Sequence, residues 1–320
     1  MIITVTLNAA IDKSLSVPSF RLGRRHRTVE QRTSAGGKGV NIARSLKLLG
    51  LPVIATGFQG GPTGTRIVEQ LTEESILNDF VRIREESRTN MAVSDPTNGE
   101  VTEINERGPA VSAKEAELFR DKLLYLASGA AVVVFAGSLP RGVESDLYAS
   151  LIRELKRKDV QIVVDTDGEP LRHAVRAEPD IIAPNSLEAE ELVGHEFSDD
   201  EDRTIAVGEM VSLGAREAIL TVQDGCIASA VDVTGERALL RVRIEERETV
   251  APVGSGDAFL AGVVAARYAG RPMEECLRHG VACGAESTQH LGAGLVDPAA
   301  VERIEAETVV ERLSTPAEVS

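Results

Sequence analysis

The chain has 320 residues, enough for one large domain or two modest ones around a substantial core. Apolar residues make up 42% and charged residues 27%, as in ordinary globular proteins, while aromatics at 3% with no Trp leave little material for base-stacking platforms. A net charge of −15 disfavours nucleic acid and anionic membrane surfaces as partners, although a local basic patch can still hold a small anion.

In chain order, residues 2–7 (IITVTL) read as a short strand, and 37–50 (GKGVNIARSLKLLG) have helical spacing ending in Gly. Residues 52–58 read as strand, 63–74 as helix and 131–137 (AVVVFAG) as a strongly apolar strand. A helix follows from about Glu144 to Lys158, then strands at 160–165, 180–185 and 216–222. Strand and helix alternate, and several strands are apolar without interruption, as in a parallel sheet covered on both faces. Residues 15–33 and 79–107 break the alternation. Their short alternating runs RTVEQR, DFVRIR, NMAVSD and GEVTEIN, with turn chemistry at DPTNG, predict a small antiparallel sheet inserted as a lid over about 12–33 and 79–107. The polar stretch over about 305–320 is expected to fray.

Cys226, Cys276 and Cys283 are too few for a disulfide framework and lack metal-type spacing, so they are expected to be buried thiols. The five histidines form no HExxH pattern. With no signal-peptide pattern and no apolar run of membrane length, a cytoplasmic protein with no membrane partner is the expectation.

Four short stretches carry candidate chemistry. In VAPVGSGDAFLAGVV (250–264), Gly254, Ser255 and Gly256 run into Asp257 at a helix start. Read alone, Asp257 is a helix cap. The alternative is that bare N–H groups at the positive helix end hold a phosphoryl group while Asp257 accepts a proton from an attacking hydroxyl. SAGGKGVNIAR (34–44) is either a tight turn into a helix or a place where a polar ligand lies against the backbone near Asn41. In PNSLE (184–188), Asn185 and Glu188 either cap a helix or orient metal-bound waters near phosphates. In SRTN (87–90), Arg88 is either a solvated charge or a bidentate phosphate clamp. No stretch fits the P-loop pattern, and no GxGxxG follows the first strand.

Together with TLNAAID, INERGP, AGSLPRG and VVDTDGEPL, these motifs occur in one order from about residue 2 to 300. In that order the chain resembles the PfkB family of ribokinase-like carbohydrate kinases. Within it the chain is most similar to the branch of 1-phosphofructokinases, tagatose-6-phosphate kinases and minor 6-phosphofructokinases. The resemblance implies one three-layer α/β/α ribokinase-like domain with a small β-sheet lid, which in the family often forms a homodimer. It implies phosphoryl transfer from ATP with Mg²⁺ to a small sugar phosphate. Carried over by motif, Asp257 is the base, and Gly254, Ser255 and Gly256 form the anion hole. Asp12, Gly36, Gly37 and Asn41 hold sugar hydroxyls. Lys38, Arg88, Asn90 and Ser138, with Arg24 as an outlying candidate, meet the acceptor's phosphate or its neighbours. Asn185 and Glu188 organise the metal through water, and Thr221 and Gly225 bound the nucleotide loop.

The chain departs from the family pattern at Ala183 and Ala92, where relatives often carry Lys, and at TVQDGCIA, which lacks one loop glycine. Two other functions remain open at this level: a kinase for an unphosphorylated sugar or nucleoside, and a non-catalytic sugar-phosphate sensor.

Overall fold

The structure, a computed structural model, describes residues 1–232 and 234–314. Its elements begin with β1 (Ile2–Thr6), β2 (Ala10–Ser16), β3 (Glu30–Gly36), α1 (Lys38–Leu48), β4 (Val53–Gly60), α2 (Gly61–Glu73) and β5 (Leu77–Ile83). Next come β6 (Arg88–Asp95), β7 (Glu100–Asn105), α3 (Ala113–Leu126), β8 (Val132–Ala136), α4 (Leu147–Leu155), β9 (Gln161–Asp165) and α5 (Gly168–Val175). Then follow β10 (Ile181–Ile182), α6 (Ser186–Val193), α7 (Asp200–Ser212), β11 (Glu217–Val222), β12 (Gly225–Val231) and β13 (Arg237–Arg243). The last are α8 (Ser255–Tyr268), α9 (Met273–Ser287), α10 (Pro298–Glu305) and β14 (Val309–Leu313).

A ten-stranded sheet runs β14-β13-β12-β11-β10-β9-β8-β1-β4-β5. It is parallel from β5 through β11 and antiparallel from β11 to β14. The apolar strands follow from coverage on both sides. In β8, Val132, Val134 and Ala136 pack with α1, α2, α8 and α9, whereas Val133 and Phe135 pack with α3, α4, α5, α6 and α7. Alternate side chains leave opposite faces of a strand, so a strand buried twice must be apolar at every position. These are the three expected α/β/α layers.

The lid is a second sheet of order β3-β2-β6-β7. Three features differ from expectation. Residues 79–83, read as lid, belong to β5 at the edge of the main sheet, because Phe80, Val81 and Ile83 are buried there against β4 and the core. The lid is not wholly antiparallel, since β2 pairs with β6 in parallel. The expected frayed end instead contributes β14, whose Val309–Leu313 pair with β13; residues 315–320 of that stretch lie outside the described residues. The three cysteines are buried and free, as expected. No helix among the described residues is long and apolar enough to cross a membrane.

Phe135 is fully buried on the sheet face covered by α3 to α7 and stacks at a tilt on Tyr148, centroids 5.2 Å apart. Phe135→Ala is expected to lower stability by about 3–5 kcal/mol in a urea titration. A loss below about 1 kcal/mol would mean that the neighbouring side chains refill the space.

Candidate active site

A pocket of about 900 Å³ opens where β1, β8, β9 and β11 end, between those strand ends and the inner face of the lid. Ligands of parallel α/β sheets bind outside the carboxyl ends of the strands, where loops and helix N-termini converge. Thr6, Ala136, Asp165 and Thr221 bring the sheet to this wall; Asp12, Ser34, Asn90, Glu103 and Asn105 bring the lid.

The start of α8 forms one end. Gly254 caps it with φ 85° and no side-chain cap bond. That left-handed conformation suits Gly, and a Cβ there would lie 2.4 Å from Ala293 Cβ. The Ser255 N–H donates to Pro252 O at 3.2 Å. The N–H groups of Gly256 and Asp257 have no hydrogen-bond acceptor among the described residues. Beside Gly256 the space is open: a Cβ placed there would meet nothing within 4 Å. Of the expected Gly254, Ser255 and Gly256 donors, Ser255 N–H is the one with an acceptor among the described residues.

Asp257 is buried, and its Oδ2 accepts from Asn41 Nδ2 at 2.8 Å. Burial, then the negative charge of Asp165, push its pKa up to about 7 against the opposing pull of Lys38 and the Asn41 hydrogen bond. Asn41, expected to hold a sugar hydroxyl, thus holds this carboxylate. Lys38 Nζ donates to Asp165 Oδ1 at 2.7 Å and to Glu188 Oε1 at 3.4 Å. Burial works against its ammonium charge, but Asp165, Glu188 and Asp257 outweigh it and hold the lysine above its ordinary range. Burial likewise raises Glu188, with Lys38 opposing.

On the lid side, Asp12 Oδ1 accepts from Asn90 Nδ2 at 2.9 Å. Burial raises the Asp12 pKa, against the Asn90 bond and the charges of Arg88 and Arg44. A Cβ at Gly36 would fall 1.8 Å from Asp12 Oδ2, so a side chain there would displace the Asp12 carboxylate. Gly37 is the N-cap of α1 and lines the pocket. Arg88 donates through Nε to Asn8 O and through Nη1 to Glu106 O, both at 3.0 Å, which aims it across the neck of the lid. Burial lowers its pKa, opposed by Asp12 and Glu106. Ser138 Oγ accepts from Asn8 Nδ2 at 3.2 Å.

At the opposite wall, Asn185 and Glu188 form a reciprocal capping box: Glu188 N–H donates to Asn185 Oδ1 at 3.0 Å and Asn185 N–H to Glu188 Oε2 at 2.9 Å. The capping reading is thus correct, and Glu188 faces the pocket as well. Thr221 bridges to Asn185, and Gly225 opens β12 beside it. Arg24 is not brought to the site; it is exposed on the loop between β2 and β3 and does not line the pocket.

Sequence reasoning assigned no role to Asp165 or Asn8. Asp165 had a signal, an acidic residue closing the buried apolar strand VQIVVD. Asn8 had only its place after β1, yet it also donates to Arg107 O at 3.3 Å and so joins three segments of the neck. Thr6 Oγ1, Asn8 Oδ1 and Asn90 Oδ1 are buried polar atoms on the pocket wall with no partner among the described residues, a set suited to hydroxyl ligands. No group of three or more His, Cys, Asp or Glu able to hold a metal occurs among the described residues. Asp165 and Glu188 still fit a cation held mainly by phosphates and water, as Mg²⁺ commonly is.

The model of the pfkB family carbohydrate kinases matches residues 4–300. The chain is 34% identical to a 1-phosphofructokinase of Borreliella burgdorferi over 89% of its own length and 90% of the relative's. It is 33% identical to a tagatose-6-phosphate kinase of Staphylococcus epidermidis, covering 89% and 91%. Among solved structures it resembles a possible 1-phosphofructokinase of Thermotoga maritima, with TM-score 0.89, 27% identity and coverage of 98% and 100%. Phosphofructokinase-2 of Escherichia coli in complex with substrates and products superposes with TM-score 0.88, 26% identity and coverage of 95% and 98%. With the fold, the order of its motifs and these likenesses in agreement, the chain belongs to the pfkB family of carbohydrate kinases.

Proposed function

We propose that this carbohydrate kinase transfers the γ-phosphoryl group of ATP to a hydroxyl of a ketohexose phosphate, giving a ketohexose bisphosphate. The candidate acceptors are fructose 1-phosphate, tagatose 6-phosphate and fructose 6-phosphate. One observation carries the reading: a buried carboxylate, Asp257, stands beside unbonded N–H groups at a helix N-terminus, in the same pocket as a fixed guanidinium, Arg88. The names of the relatives, 1-phosphofructokinase and tagatose-6-phosphate kinase, support the same acceptor class.

Asp257 accepts the proton of the acceptor hydroxyl as that oxygen bonds to phosphorus and the bond to the leaving ADP oxygen breaks. The N–H groups of Gly256 and Asp257 face charge developing on the phosphoryl oxygens. Asp12 and Asn90 hold acceptor hydroxyls, and Arg88 with Ser138 holds the phosphate already present. Lys38 takes a different part from the one its motif suggested. Its ties to Asp165 and Glu188 support a part on the donor side, between the base and the ATP phosphates. Glu188 and Asn185, joined by Asp165, would hold Mg²⁺ through water, where the ion supplies neutralisation of the donor's phosphates. Thr221 and Gly225 border the nucleotide.

We assign the outer face of the lid to a homodimer contact. Ile104 alternates with the pocket-lining Glu103 and Asn105 and is 60% exposed on the face turned away. A tetrameric form has been described for one solved relative, the E. coli phosphofructokinase-2. Ile104→Lys is expected to shift sedimentation equilibrium to monomer; an unchanged oligomer would move the contact elsewhere.

In a coupled ADP-release assay, turnover is expected on at least one of the three ketohexose phosphates and far less on fructose or ribose. Preference for the neutral sugars would replace this reading by a sugar kinase, and no turnover at all by a sensor. Asp257→Asn is expected to lower kcat by at least ~10² with acceptor binding retained; near-normal turnover would remove Asp257 as base. Because the Asp257 pKa is raised and only its ionised form accepts a proton, kcat/KM is expected to fall about tenfold per unit below pH of about 7 and to level above it. A flat profile between about pH 5 and 8 would contradict the assignment.

A further inference from the structure

The largest fully buried side chain among the described residues is a cation that none of these steps uses, Arg241 in β13. Its Nη1 donates to Val242 O at 2.8 Å and Cys226 O at 3.3 Å, its Nε to Asp200 Oδ2 at 3.2 Å, and its Nη2 to Asp224 Oδ1. A guanidinium taken out of water costs several kcal/mol unless paired, and neither partner carboxylate is itself deeply buried, so simple stability is a weak reason for its presence.

What Arg241 touches is more specific. Gln223 and Asp224 are the two central residues of the hairpin turn between β11 and β12, closed by the Val222–Gly225 pair. Arg241 holds the Asp224 side chain, and Ile244 N–H donates to Asp224 O at 2.9 Å. Gly225, φ 144°, packs so tightly that a Cβ would lie 2.0 Å from Val242 O. The turn is thus fixed by side chain, main chain and packing. Its other side lines the pocket through Thr221, Val222, Gln223, Gly225 and Ile244. β11 lies four strand spacings from β1, about 19 Å, so this wall is remote from the lid, Asp12 and Arg88.

Given the kinase reading above, we propose that Arg241 is a positioning residue for the nucleotide: through Asp224 it fixes the β11–β12 turn, and so sets affinity for ATP independently of the acceptor. Asp224 is 47% exposed, and Asp200 remains as a carboxylate partner of Arg241 when it is replaced.

The test uses full-length Asp224→Ala and Arg241→Lys with wild type alongside, measuring KM for ATP, KM for the phosphorylated acceptor, and thermal shifts on adding ATP or acceptor alone. Expected is a rise of about tenfold in KM for ATP in both variants, with acceptor KM and kcat at saturating ATP within about twofold. The ATP-induced shift is expected to shrink while the acceptor-induced shift persists. Asp224→Asn, which keeps an oxygen for Arg241, is expected to recover part of the ATP affinity. Parallel changes in both KM values, or unchanged ATP affinity in Asp224→Ala, would overturn the proposal and leave Arg241 a purely structural cation. Should wild type phosphorylate no acceptor, the kinase reading fails by itself, while the ATP-induced shift still decides the role of Arg241.

Discussion

The carboxylates at the base of the pocket are arranged around one ammonium group. Lys38 stands among Asp165, Glu188 and Asp257 in a protein whose overall charge repels anions, and its cation is what allows three carboxylates to share so small a volume. Without it, burial and mutual repulsion would drive one or more of them to the neutral form. With it, the Asp257 pKa is left at about 7, where a carboxylate can take a proton and later release it, and the other two stay paired with the ammonium. Local arrangement of charge, rather than its total, decides what a site can bind.

The scaffold that delivers these groups is rigid where the chemistry needs it. Lys38 and Asn41 come from the first turn of α1, Asp257 from the first turn of α8, and Asp165 from the end of β9. The two helices pack on the same face of the main sheet, and Arg44 ties the region together through Glu74, Ala35 O, Asn41 Oδ1 and Ala293 O. Arg44 thus supports the Asn41–Asp257 contact at one end of the cleft, as Arg241 supports the hairpin at the other. The lid adds a second set of polar groups from a separate sheet joined to the core through a narrow neck, a geometry suited to closing over an acceptor and excluding water from the transfer.

Much of this was legible in the residues. Strand–helix alternation and uninterrupted apolar strands gave the layered core, because two-sided burial leaves its mark on every position of a strand. Glycines before Asp257 and in SAGGKG marked the two helix entrances, because close approach to backbone excludes side chains. The capping box at Asn185 and Glu188 was readable because its partners are three residues apart. What local pattern determines, the sequence alone determined. Only the tertiary structure decided the rest: that residues 79–83 join the core, that residues 309–313 complete the sheet, that Asn41 serves Asp257 and Lys38 serves Asp165, and that Arg24 stays outside. Those outcomes depend on partners from tens to hundreds of residues away, and a charge or an edge strand carries no local sign of which distant group it will meet.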